Sequence, residues 1–258
     1  MRRLIYVTLV LFVIVITQGQ TLVGTYAATM NSKGVMYASD FTVDGEAGAP
    51  SFAALKAAHF SMVGTIAYST FQASDWANLN AWIRSAKSAG FTTFVILNGD
   101  GKTFSSAICM AEKVAAMKVD IIILDEMIAT YGISEQQLWA GINAIMKVNR
   151  AERFIMDEYI PADIQEAYEW TAPYPGIRVA TDNYSTQSVI DLGISLASKY
   201  GKRAMAWIDF VQAGAATSCY TNLNAWLAYV RGKPVDVLFY YVNADGGWKT
   251  NWPTVVNF

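Results

Sequence analysis

Along the chain, short apolar runs alternate with longer segments in which apolar positions recur at helical spacing. The sharpest run is Val119–Met127, VDIIILDEM, in which Ile121, Ile122, Ile123 and Leu124 lead straight into two acids, Asp125 and Glu126. An apolar run without alternation suits a strand covered on both faces, as in a parallel sheet wrapped by helices. The pattern returns in Arg153–Tyr159, RFIMDEY, where Asp157 and Glu158 close the run.

Six further strands are predicted at Gly34–Asp40, Met62–Thr70, Thr92–Gly99, Ile177–Tyr184, Arg203–Phe210 and Val235–Asn243. Helices fill the intervals. Ser51–Ala58 follows Pro50, and Trp76–Ala89 has Asp75 as its N-cap and Gly90 as its stop. Phe104–Lys118 comes next, then a helix from Ser134 to about Asn149 with Gln137 at the capping-box position. Pro161 opens another at its first position. Thr186–Tyr200 is stopped by Gly201, and Ser218–Arg231 by Gly232. Alternating β and α at this spacing predicts parallel pairing with right-handed crossovers, and eight strands predict a single (β/α)8 TIM barrel of class α/β. The alternative, an open doubly wound sheet, would want G-x-G-x-x-G after the first strand. The chain has ASDFTVDGEAGAP there.

The N-terminus breaks the alternation. Arg2 and Arg3 precede an apolar stretch, Leu4–Ile16, and Thr17 and Gly19 are small residues suited to cleavage after Gly19. This is the pattern of a secretory signal. The expectation is a signal peptide over 1–19, a barrel domain over 20–258 and a secreted, extracellular protein. A cut near Ala27 or an uncleaved anchor is the alternative, although the run is short of the roughly 20 residues a spanning helix needs. With 258 residues, 53% of them hydrophobic, and a formal net charge of −2, the chain can bury a large core. It has no basic excess to draw nucleic acid or an anionic membrane. The expectation is a monomer with no membrane contact beyond the export signal. Cys109 and Cys219 fall on separate helices and are expected reduced and packed.

The last residues of the predicted strands and the first of their loops gather acids, amides and aromatics. They are Asp40, Tyr68, Asn98, Asp125 and Glu126, then Asp157, Glu158 and Tyr159, then Asp182, Asn183 and Tyr184, and finally Trp207, Asp209, Tyr241 and Asn243. In α/β barrels this C-terminal rim is where active sites are built. The single histidine, His59, precedes the second strand, at the opposite end, which removes Ser-His-Asp and His-metal chemistry from the rim. No lysine ends a strand, which disfavours a Schiff base. No metal or other cofactor is called for, with divalent-cation binding by Asp40, Asp125, Asp157 and Asp182 as a further alternative, since hard cations take oxygen ligands.

Carboxylate chemistry remains. In glycoside hydrolysis one carboxylic acid protonates the leaving oxygen, while a second carboxylate attacks the anomeric carbon or activates water. Alternation sends neighbours in a strand to opposite faces, so only one acid of each Asp-Glu pair faces the barrel axis unless the strand has already ended. Glu126 is the preferred acid/base and Glu158 its partner, with Asp125 and Asp157 in support and Asp209 as the alternative partner. Tyr159, Tyr184, Trp207 and Tyr241 would stack on sugar faces. Asn98, Asn183 and Asn243 would bind hydroxyls, and Asp40, Tyr68 and Asp182 complete the binding set.

The arrangement resembles the secreted (β/α)8 glycoside hydrolases as a broad group, through architecture across nearly the whole chain after residue 19. The resemblance implies hydrolysis of an oligo- or polysaccharide. The acids of LDEM are adjacent, where chitinase-like barrels carry D-x-D-x-E. The seventh strand ends in Asp209, where barrels with an Asn-Glu pair on strand four carry a glutamate. A non-catalytic carbohydrate-binding barrel at the cell surface is the alternative from another class.

Overall fold

The computed structural model describes residues 33–38, 51–98, 103–150, 153–182, 187–209, 228–231 and 233–242. Eight parallel strands close into a barrel in sequence order. They are β1 (Lys33–Ala38), β2 (Phe60–Tyr68), β3 (Thr92–Asn98), β4 (Ile121–Asp125), β5 (Arg153–Glu158), β6 (Arg178–Asp182), β7 (Ala204–Asp209) and β8 (Val235–Val242). β1 pairs with both β2 and β8, which completes the ring. The helices among the described residues are α1 (Phe52–Ala57), α2 (Ala73–Ser88), α3 (Phe104–Ala116), α4 (Met127–Tyr131), α5 (Glu135–Val148), α6 (Pro161–Thr171) and α7 (Gln187–Lys199). The predicted fold class is the one observed. The leader predicted over 1–19, Cys219 and most of the helix predicted over 218–231 lie outside the described residues.

Local chemistry sets most helix ends. Ser51 and Thr103 accept the Ala54 and Ser106 N–H groups at 3.2 and 3.3 Å. Ser134 and Gln137 form the expected capping box on α5, and Pro161 opens α6. α2 departs from the prediction by starting a turn earlier, at Ala73. Asp75 is therefore inside the first turn, where its carboxylate accepts the Gln72 N–H at 2.7 Å. Likewise β2 runs Phe60–Tyr68 rather than Met62–Thr70. α4 was not predicted. His59 sits at the α1–β2 turn, left-handed and exposed, away from the C-terminal rim. Cys109 is free as expected but exposed, because Ala107, Met110 and Ala111 take the buried face of α3.

Strand alternation divides the core into two shells. Val63, Val95, Leu97, Ile122, Leu124, Phe154, Met156, Val179 and Ala206 pack outward with the helices in one cluster. Trp82 is buried in that cluster, and Trp76, Trp139 and Trp170 pack against it. The intervening positions fill the barrel interior: Ile66, Phe94, Ile96, Ile121, Ile123, Ile155, Met205, Trp207 and Leu238 are all buried. Gly64 holds one of these inward positions. A Cβ there would lie 2.1–2.5 Å from the Phe94 ring, and Phe94 in turn reaches Trp207, with ring centroids 6.5 Å apart. Gly64 is thus required by the aromatic that crosses above it.

The N-terminal end of the barrel is pinned by charge. Asp236, 3% exposed, accepts from Arg178 Nη2 and Arg203 Nη2, both at 2.7 Å, and from Arg203 Nε at 2.8 Å. Asp120 near the same end accepts the Thr93 N–H and Oγ1 at 2.8 Å and Lys87 Nζ at 2.7 Å. Burial alone would raise the Asp120 carboxyl, and the bonds from Lys87 and Thr93 bring it below its usual range.

Two outcomes follow. Asp236→Asn strands the buried Arg178 guanidinium and is expected to cost about 3–5 kcal/mol, read from urea midpoints at pH 7. Gly64→Ala forces a Cβ into the Phe94 ring and is expected to cost about 1–3 kcal/mol by overpacking. A midpoint unchanged from the wild type would contradict it.

Candidate active site

The two acidic strand ends stand side by side. β4 and β5 pair from Ile121↔Arg153 to Asp125↔Asp157. Ile121, Ile123 and Ile155 are interior residues, so Asp125 and Asp157, two steps further on, share their inward direction. Adjacent strands are about 4.8 Å apart, so these register partners stand on neighbouring strands and on the same face of the sheet. Asp157 is 1% exposed. Asp125 is half-buried at the strand end. Burial of its carboxyl, with Glu126 beside it, raises Asp125 to about 7, well above the usual carboxylate range.

The glutamates of the two pairs do something else. Glu158 is completely buried and follows Asp157, so it lies on the helix side of β5. Its Oε1 accepts the Ile128 N–H at 2.8 Å and its Oε2 the Ala129 N–H at 3.3 Å. Those groups belong to the first turn of α4 and have no acceptor within the helix. Burial pushes Glu158 up to about 8; the two N–H bonds pull against this, and Asp163 and Glu126 add to it.

Glu126 is the hinge between β4 and α4, with φ 47° and ψ 39°. The left-handed region costs an L-residue about 1–2 kcal/mol. Three bonds oppose that strain. The Glu126 N–H donates to the Asp157 carbonyl at 2.8 Å, carrying the β4–β5 ladder one residue past the strand. The Thr130 N–H returns to the Glu126 carbonyl at 2.7 Å, and Thr130 Oγ1 donates to the Glu126 carboxylate at 2.9 Å. At about 0.5–1.5 kcal/mol each, together they are of the same order as the strain. The reversal lets Asp125 face inward while the next residues leave for α4.

Of the four acids expected to react or support the reaction, Asp125 and Asp157 are register partners at inward positions, Glu158 lies on the helix side and Glu126 is the left-handed residue between β4 and α4. The other predicted rim residues are spread along it. Tyr68 ends β2, partly buried and edge-on to Phe71 at 5.7 Å, and pairs in register with Asn98. Asp182 pairs with Trp207, Asp209 with Tyr240, and Tyr241 with Tyr37. Tyr159 is half-buried just after β5. Trp207 is only 4% exposed, because its parity with Met205 turns it inward against Phe94, so it offers little open face for stacking. Asp40, Asn183, Tyr184 and Asn243 lie outside the described residues. No group of three or more His, Cys, Asp or Glu able to hold a metal occurs among the described residues.

The sequence reasoning missed α4 and the two N–H groups it offers Glu158. Five residues show no helical period. The signal that was present is the alternation from Phe154 and Met156, which puts Glu158 outside.

No family model and no curated protein matches this chain. Solved structures do. XacCel5A in complex with cellopentaose aligns with a TM-score of 0.60 at 10% identity, over 88% of this chain and 98% of that one. The endo-beta-N-acetylglucosaminidase from Cordyceps militaris aligns at 0.55 and 13%, over 93% and 95%. The HpcH/HpaI aldolase from Desulfitobacterium hafniense aligns at 0.54 and 10%, over 88% and 91%. The chain therefore has the fold of TIM-barrel enzymes, and at these identities the likeness is one of fold.

The raised carboxyls give stability a definite pH slope. The unfolded Glu158 releases its proton near 4.5 and the folded one near 8. Between these values only the folded state holds the proton, so stability falls as pH rises, by up to about 1.4 kcal/mol per unit, and levels off above 8. Asp125 acts in the same direction between 3.8 and about 7. Urea unfolding at pH 5, 6.5 and 8 is expected to show this fall. Glu158→Gln should flatten it, and an equal slope in that variant would show that Glu158 does not titrate in this range.

Proposed function

We propose that this chain is a glycoside hydrolase acting on an oligo- or polysaccharide, with Asp125 and Asp157 as its paired carboxylates. The observation that carries the reading is the Asp125↔Asp157 register: two acids on adjacent strands, turned inward at the end of the barrel where catalytic residues gather. Asp125, raised to about 7, keeps its proton near neutrality and suits the general acid. It would protonate the glycosidic oxygen as the bond to the anomeric carbon breaks. Asp157 would attack that carbon, and water, deprotonated by Asp125, would then release the sugar. The fold likeness to XacCel5A and to the Cordyceps enzyme supports this choice of chemistry. The aldolase and a citrate synthase with similar barrels mean that the acids, and not the fold, carry the argument. A leader over 1–19 would deliver the enzyme to where polysaccharides lie.

The test is the release of reducing ends from cellopentaose and from N-acetylglucosamine oligomers. The wild type is expected to cleave one of them and to lose rate as pH rises past about 7, when Asp125 gives up its proton. Asp125→Asn and Asp157→Asn are each expected to lower kcat by about 10²–10⁴-fold. Cleavage that survives both substitutions, or binding of these sugars with no new reducing ends, would overturn the reading. The latter result would favour a carbohydrate-binding barrel.

A further inference from the structure

Glu158 is a buried acid for which the Asp125–Asp157 chemistry has no direct use. It sits on the opposite face of β5 from Asp157, with both carboxyl oxygens on the backbone of α4. α4 has five residues, too few to hold a helix by themselves. Its buried Met127 and Ile128 anchor it by packing, and the Glu158 carboxyl supplies acceptors for its open first turn. From that turn Thr130 reaches back to Glu126 through its N–H and its Oγ1. Glu126, held left-handed, is covalently next to Asp125. Each link from Glu158 to Asp125 is therefore a hydrogen bond or a peptide bond.

The electrostatics describe the same connection. Asp125 is shifted by burial and by Glu126. Glu158 is shifted by burial, by the Ile128 and Ala129 N–H groups, by Asp163 on α6 and by Glu126. Glu126 is the neighbour the two acids share.

Resting on the reading of Asp125 and Asp157 as the reacting pair, we propose that Glu158 is a positioning residue. By gripping the first turn of α4 it holds Glu126 left-handed and keeps the Asp125 carboxyl turned into the barrel beside Asp157. A cap that served α4 alone would affect stability and leave Asp125 unchanged.

The experiment follows the carboxyl carbons of the full chain by NMR through a pH titration, in the wild type and in Glu158→Gln. The glutamine keeps an acceptor for the Ile128 N–H but sets its own NH2 against Ala129. With the turn loosened and water admitted, the Asp125 midpoint is expected to fall by about one unit or more. On whichever of cellopentaose and the N-acetylglucosamine oligomers the wild type cleaves, kcat should fall about tenfold or more while KM stays nearly constant. A lowered melting temperature with the Asp125 midpoint and kcat unchanged would overturn the proposal and leave Glu158 as a cap. Should the wild type cleave neither sugar, the glycosidase reading fails by itself, and the carboxyl titration still decides the positioning role. Should Glu158→Gln not fold, the wild type decides. The Ile128 and Ala129 amide shifts and the Asp125 carboxyl shift are expected to share an inflection at the Glu158 titration near 8. An Asp125 signal silent at that inflection overturns the proposal.

Discussion

A parallel ladder that closes on itself imposes one rule on every strand: what faces inward on one must face inward on its partners all the way round. The register obeys this from Gly64↔Phe94 through Ile96↔Ile123 to Asp125↔Asp157, Ala180↔Met205 and Trp207↔Leu238. A one-residue slip anywhere would exchange the inward and outward sets of that strand. The rule separates Asp125 and Asp157 from the glutamates that follow them. It also explains why the two members of a look-alike acidic pair end in different environments, Asp157 facing the axis and Glu158 facing the helices.

The two ends of the barrel treat their acids in opposite ways. At the N-terminal end, Asp120 and Asp236 are met by lysine, arginine and threonine donors, and their charge is neutralised within the fold. At the C-terminal end, the carboxyl groups of Asp125 and Glu158 are buried near further carboxyls, and both are pushed toward the protonated form. Keeping carboxyls crowded in this way opposes stability at neutral pH. The strained backbone at Glu126 lies at the same point. Such local costs tend to gather where a protein does its chemistry.

Much of the architecture was legible because each strand is apolar on both faces and each helix carries its own punctuation. IIIL in β4, the Ser134–Gln137 box and Pro161 needed no tertiary information. Asp75 misled because a good N-cap residue is also a good third residue, and only the depth of the first turn tells them apart. Trp207 read as a rim aromatic because it lies near a strand end; its parity with Met205, which turns it under the rim, needs the strand's true limits. The choice between Asp125 and Glu126 could be read only with the last residue of β4 in hand. It depends on a left-handed glutamate, and that conformation is enforced by Asp157, Thr130 and α4, none of which a local pattern reports.

The charged pin at the base has a consequence for traffic. Arg178, Asp236 and Arg203 stopper the barrel below, and Phe94 and Trp207 cross above them. Among the described residues the interior beneath Asp125 and Asp157 is filled by buried side chains resting on an ion-paired base. On the proposed chemistry, sugar, water and protons would all reach those carboxyls from the rim side.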